Sequence, residues 1–194
     1  MKKLTFLFVI FMCLCCTSAN AQKRKHQFGL KGEWELGGTI FYSSTTPVVN
    51  DSTGNATNVF QIQPVIGYFV TKGVEIGIQP TLTFVSSNGY SYNTMALYFA
   101  PAYNFIMKGK IYPAIVALIG YTSTSTTPTT GPSYSASGFS WGGEAGVKMN
   151  LAGNSLLFAG LQYLRVTNNP SGSTSRNGQN VLSFGVGWNV FFGK

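Results

Sequence analysis

The chain has 194 residues, a formal net charge of +8, and only 9% Asp, Glu, Lys and Arg. Soluble domains carry roughly 25% of these residues. Hydrophobic residues make up 44% and aromatics 14% of the chain, which excludes a disordered chain and disfavours a soluble, charge-coated one. All three cysteines lie between Cys13 and Cys16, and His26 is the single histidine. The remainder of the chain therefore cannot build a disulfide or thiolate site, and no set remains for a Ser-His-Asp triad or a transition-metal centre.

Met1-Lys2-Lys3 is a short basic start, Leu4 to Cys16 is almost wholly apolar, and Ala19-Asn20-Ala21 supplies small residues two apart. This is the pattern of a cleaved secretory signal over residues 1–21. The apolar run is too short to cross a bilayer as a helix, which takes about 20 residues. Lipid attachment is disfavoured, because Cys15 follows Leu14 and Cys16 follows Cys15, where a small residue is needed. Residues 22–27, Gln-Lys-Arg-Lys-His-Gln, form a basic segment that reads as a solvated periplasmic tail, with binding of acidic headgroups as the lesser alternative. Removal of the leader takes Lys2 and Lys3 away and leaves the balance basic. Export rules out nucleic acid as a partner.

From residue 28 onward the chain alternates with period two, the mark of strands with one greasy and one wet face. The first strand is predicted over 28–42, with Leu30, Trp34, Leu36, Ile40 and Tyr42 against Lys31, Glu33, Glu35 and Thr39. The second, 59–70, sets Phe60, Ile62, Pro64, Ile66, Tyr68 and Val70 against Gln61, Gln63 and Gly67. Further strands are predicted over 74–85, 94–106, 111–121, 139–151, 156–166 and 181–192, giving eight; that at 111–121 is apolar on both faces. Prolines 64, 80, 101 and 113 fall inside strands and predict bulges or bends.

The connections alternate in length. Residues 43–58, 86–93, 122–137 and 167–180 are long and rich in Ser, Thr, Asn and Gly. Thr71-Lys72-Gly73, Met107-Lys108-Gly109-Lys110 and Ala152-Gly153-Asn154-Ser155 are short. No stretch after the leader has about 18 consecutive apolar residues, so crossing a membrane requires closed strands, in which every backbone group finds a partner. Long external loops and short periplasmic turns are the habit of outer-membrane barrels. The expected fold is all-β: an eight-stranded antiparallel transmembrane up-and-down barrel over 28–194, with both termini periplasmic. Tyr42, Tyr68, Tyr103, Tyr112, Tyr121, Trp141, Tyr163 and Trp188 are expected near the two lipid–water interfaces.

On these features the chain resembles the small outer-membrane β-barrel family of Gram-negative bacteria, of the OmpX and OmpA-barrel type. The resemblance covers essentially 28–194 and rests on pattern rather than a catalytic signature. It implies a C-terminal insertion signal read by the outer-membrane assembly machinery, matched by Gly187, Val190 and Phe192, although Gly193-Lys194 follow the aromatic. It also implies a monomer without cofactor, with outer-membrane lipid and lipopolysaccharide as surroundings. No OmpA-type peptidoglycan-binding domain is expected after the barrel.

Candidate site residues come from the wet face. Lys31, Glu33, Glu35, Glu75, Glu144 and Lys148 are expected to meet as a charge network in a narrow lumen. A gate or ion path is the alternative role for them. Arg165 and Arg176, near the external end, are candidates for lipopolysaccharide phosphates. Lipid A-modifying barrels resemble this architecture but place a histidine with a serine near the external face, whereas His26 falls at the other end. The Ser/Thr-rich stretch 122–132 reads as a mobile loop, or as an adhesion or phage-contact surface. The expected function is a non-enzymatic structural or surface-interaction barrel. The alternatives are a small pore or hydrophobic-molecule channel of the OmpW type, and a soluble lipocalin-like barrel.

Overall fold

A computed structural model describes residues 28–45, 48–49, 52–53, 57–87, 90–128, 133–170 and 177–193. The leader, the basic segment 22–27 with His26, and Arg176 lie outside the described residues. The strands are β1 (Trp34–Thr45), β2 (Val48–Val49), β3 (Ser52–Thr53), β4 (Thr57–Thr71), β5 (Val74–Ser87), β6 (Tyr90–Asn104), β7 (Ile111–Pro128), β8 (Tyr134–Ala152), β9 (Ser155–Pro170) and β10 (Asn177–Phe192). Eight of them close into a barrel in the order β1-β10-β9-β8-β7-β6-β5-β4, while β2 and β3 form a two-residue ladder inside the first long connection. Neighbours pair antiparallel, and closure comes from β1 against β10, from Trp34 opposite Phe192 to Tyr42 opposite Phe184. The described residues contain no helix.

Alternation decides which face goes where. The outward face carries Trp34, Leu36 and Ile40 on β1, Ile76 and Ile78 on β5, Leu97 and Phe99 on β6, and Phe184, Val186 and Trp188 on β10, all exposed. Burying such a band in hydrocarbon is favourable at about 25 cal/mol per Å². Trp34, Tyr103 and Phe105 stand outward near the short turns, and Tyr42, Tyr121, Trp141 and Tyr163 near the long connections. Tyr112, expected among them, points inward instead and is buried. The doubly apolar β7 is thereby explained. Ile111, Ile115 and Ile119 face out, and its inward face is itself apolar, with Ala114 and Leu118 buried.

The strands run well beyond their predicted ends. β7 has 18 residues and β8 has 19, against the 9–11 that cross a membrane. The Ser/Thr-rich stretch is strand as far as Pro128, and pairing continues to Thr126 opposite Tyr134. Above the bilayer both faces are wet, so no hydrophobic alternation marks a strand there, although threonine favours one. The described residues of the four long connections therefore include paired strand extensions that continue the barrel wall.

The prolines do not cause bulges. Pairing of β4 with β5 lapses between Ile62–Leu82 and Ile66–Ile78, where Pro64 faces Pro80, and resumes in the same register. Pro101 and Pro113 likewise sit in unshifted ladders. Register shifts occur instead beside two short turns, between Phe69 and Thr71 and between Asn150 and Ala152.

Residues 28–33, predicted as the start of the first strand, form turns that fold under the barrel. Gly29 has φ +81° and Gly32 φ +90°, a region that favours glycine. The turn is tied down by Gly32 N–H donating to Phe69 O at 2.8 Å and Gly73 N–H donating to Gly29 O at 2.9 Å. A Cβ on Gly29 would lie 2.4 Å from Ile106 Cδ1, so that side chain would have to shift.

Candidate functional site

An eight-stranded barrel has an interior just wide enough for side chains. Here most of it is filled, in layers read upward from the short turns. The lowest layer is apolar: Phe28, Phe69, Tyr112, Leu156 and Phe191 are buried, with Ile106 packed against them. Phe28 is its centre. Its ring lies 5.2, 5.1 and 5.3 Å from those of Phe69, Tyr112 and Phe191, in edge-on or tilted geometry. Phe28 has the parity of the lipid-facing residues, so alternation alone places it outside; the two left-handed glycines turn it in.

Directly above is the charge layer. Lys148 Nζ lies 2.7 Å from Glu35 Oε2 and 3.3 Å from Glu75 Oε2. Asn189 Nδ2 donates to Glu35 Oε1 at 2.6 Å and Asn104 Nδ2 to Glu75 Oε2 at 3.0 Å. The ammonium also sits 5.3 Å from the Phe28 ring centroid, a cation–π distance. These groups come from β1, β5, β6, β8 and β10, so the network spans the bore. Gly67 makes room for it: a Cβ there would fall 1.7 Å from Glu75 Oε1.

The third layer is amide-rich. Gln63 Nε2 donates to Gln79 Oε1 at 2.6 Å and also to Glu144 Oε1. Gln162 Nε2 donates to Gln63 Oε1 at 2.8 Å and to Glu144 Oε1 at 2.9 Å. Gln61 Nε2 donates to Gln162 Oε1 and Gln63 Oε1, each at 2.9 Å. Glu144 is thus held by amides rather than by Lys148. The cavity beside Glu75, Gln79, Glu144 and Lys148 measures about 20 Å³, room for about one water. Higher still, Tyr98, Ala100, Leu118, Leu164 and Val166 form a second buried apolar cluster. Ser140 Oγ donates to Tyr98 OH at 3.2 Å within it.

Of the residues expected in the lumen network, Glu35, Glu75 and Lys148 meet directly and Glu144 lies one layer up. Lys31 does not join them. It sits exposed in the turn beneath the barrel, because the glycine turns remove residues 28–33 from strand alternation. Glu33 is buried at the mouth, where its Oε2 accepts from Leu30 N–H at 2.9 Å. Arg165 is exposed on the outer face of β9, opposite Trp141, and its Nη1 donates to Asn180 Oδ1 at 3.1 Å. Gly187 faces inward beside Thr39, Val190 is partly buried, and Phe192 is exposed to the lipid side opposite Trp34. The glutamine layer was visible as inward parity in Gln61, Gln63 and Gln162, but nothing in the sequence states that strands so far apart in the chain bring them together. Among the described residues no group of His, Cys, Asp and Glu could hold a metal ion.

Lys148→Met leaves two buried carboxylates without their cation and should cost about 3–5 kcal/mol. Urea unfolding from lipid vesicles, followed by tryptophan fluorescence, measures it. The triple variant Lys148→Met, Glu35→Gln, Glu75→Gln should recover most of that loss; no recovery would show that the three groups do not act as a unit.

Comparison with known proteins agrees with this architecture. No curated protein matches the chain. Among solved structures, Neisserial surface protein A superposes with a TM-score of 0.61 at 14% identity, covering 84% of this chain and 98% of that one. The outer membrane protein OprG from Pseudomonas aeruginosa gives 0.58 at 12% identity, covering 87% and 99%. The N-terminal β-barrel domain of OprF from the same organism gives 0.56 at 15%, covering 84% and 98%. At such identities the likeness is one of fold. The family described as outer membrane protein beta-barrel domain matches residues 7–189. With that match, the closed eight-stranded wall and its apolar outer face, the chain belongs to the outer-membrane β-barrel family.

Proposed function

We propose that this protein is a non-enzymatic, non-conducting barrel that acts through the surface it presents outside the cell. The observation that carries this reading is the closure of the bore at separate levels. Phe28 and its ring partners close the foot, Lys148 with Glu35 and Glu75 crosses above them, and the Gln61–Gln63–Gln162–Glu144 layer closes the middle. An ion would have to part packed rings at the foot and break buried ion pairs and amide hydrogen bonds above them, and opening one level leaves the others shut. The same packing supports a role without catalysis: Glu35 and Glu75 are held by Lys148, Asn189 and Asn104 deep in the bore, beside a cavity of only about 20 Å³.

The described surface that remains for contact is the outer face and the outer ends of the paired strands β7–β8 and β9–β10. The barrel acts here as a monomer, inserted by the outer-membrane assembly machinery through the Gly187, Val190 and Phe192 strand. Arg165 stands beside Trp141 on the outer face, with Nη1 donating to Asn180; an exposed guanidinium there supports contact with lipopolysaccharide phosphates. Arg165→Ala should reduce the lipopolysaccharide retained on purification; unchanged retention would remove that contact.

In planar bilayers the wild-type barrel should give no steady ohmic conductance, and neutralising Lys148 or Glu144 singly should give none. A stable open level in the wild type, altered in selectivity by those substitutions, would replace this reading with the pore.

A further inference from the structure

The upper lumen is not filled. Above the glutamine layer and the Tyr98–Ser140 pair lies a cavity of about 340 Å³ toward the long hairpins. Its two sides differ in chemistry. Leu164 and Val166 of β9 and Val181 of β10 form one wall; Thr83 of β5 and Thr94 of β6, with Ala96 between Thr94 and Tyr98, belong to the other, and Tyr98, packed in the cluster of Leu164 and Val166, lies at the floor. In the barrel order β9 stands opposite β5 and β10 opposite β6, with three strands between on either side. The apolar wall therefore faces the hydroxyl wall across the bore. Among the described residues no charged side chain lines the cavity, and the described lumen charges lie beneath the amide layer or, as with Glu144, within it.

Such a space holds roughly eleven waters at about 30 Å³ each. Those against Leu164, Val166 and Val181 lack partners on one side, so replacing them with apolar atoms is favourable, whereas water on the hydroxyl side must be replaced by groups that hydrogen-bond. A charged ligand would shed hydration with no charge among the described lining residues to compensate it. We propose that this cavity is a dead-end binding site, reached from outside, for a small uncharged amphiphile: a compact molecule with an apolar face and hydroxyl or amide groups on the other. This goes beyond the surface role, and a sealed bore is not needed for its test.

The test uses the full chain in lipid nanodiscs with methyl-labelled Leu and Val, titrated with 1,2-hexanediol and separately with hexanoate. The diol should give saturable shifts at Leu164, Val166 and Val181, with hexanoate weaker by about tenfold or more. The lipid-facing methyls of Leu161 and Val186 report simple partitioning and should not saturate. Val166→Phe should abolish saturation by filling the cavity, and Ala96→Leu, from the facing wall, should do the same if the first variant fails to fold. Equal binding of hexanoate, shifts shared with Leu161 and Val186, or saturation that survives both fillings would each overturn the site.

Discussion

Closure of β1 on β10 is the constraint from which the rest follows. A strand edge left open in hydrocarbon would strand a row of N–H and C=O groups at several kcal/mol each. Pairing Trp34–Tyr42 with Phe184–Phe192 removes that edge. Eight strands then leave an interior too narrow to be a water channel and too polar to stay dry and unpaired. Every inward side chain must find a partner across the bore. Lys148 answers this for Glu35 and Glu75, the amides answer it for Glu144, and the glycine at 67 exists so that Glu75 can fit.

The barrel wall was legible in the sequence because lipid imposes a strict rule on alternate residues. Within the hydrocarbon, Ile62 and Ile66 face out and Gln61 and Gln63 face in, as parity requires. Where lipid stops, the rule stops: the continuation of β7 past Tyr121 is strand with hydroxyls on both faces, and it reads as loop. The prolines misled for a related reason. Each loses a donor, but the neighbouring ladder bonds hold register, so a missing pair need not become an extra residue.

The interior was only half legible. Parity says that Glu35, Glu75, Glu144 and Lys148 point inward, but which of them touch depends on strand stagger, which alternation does not encode. Lys31 shows the opposite failure. Its parity is correct for a strand, yet the turns at Gly29 and Gly32 precede the strand that starts at Trp34 and send Phe28, not Lys31, into the bore. The result is a barrel with two unlike halves: a foot and middle packed shut by rings, ions and amides, and an outer half that retains a cavity with one apolar and one hydroxyl wall.

The central claim, a bore packed with side chains inside a lipid-facing wall, is tested most directly along β4. Residues after Cys16 include no cysteine, so a single cysteine for a nitroxide label can be placed at each position from 60 to 66 in turn. With the barrel in lipid, labels at Phe60, Ile62 and Ile66 should be accessible to oxygen and shielded from a water-soluble nickel chelate. Labels at Gln63 and Val65 should be immobile and shielded from both, while Gln61 borders the upper cavity. High chelate accessibility at Gln63 and Val65 would mean a water-filled lumen and would contradict the account.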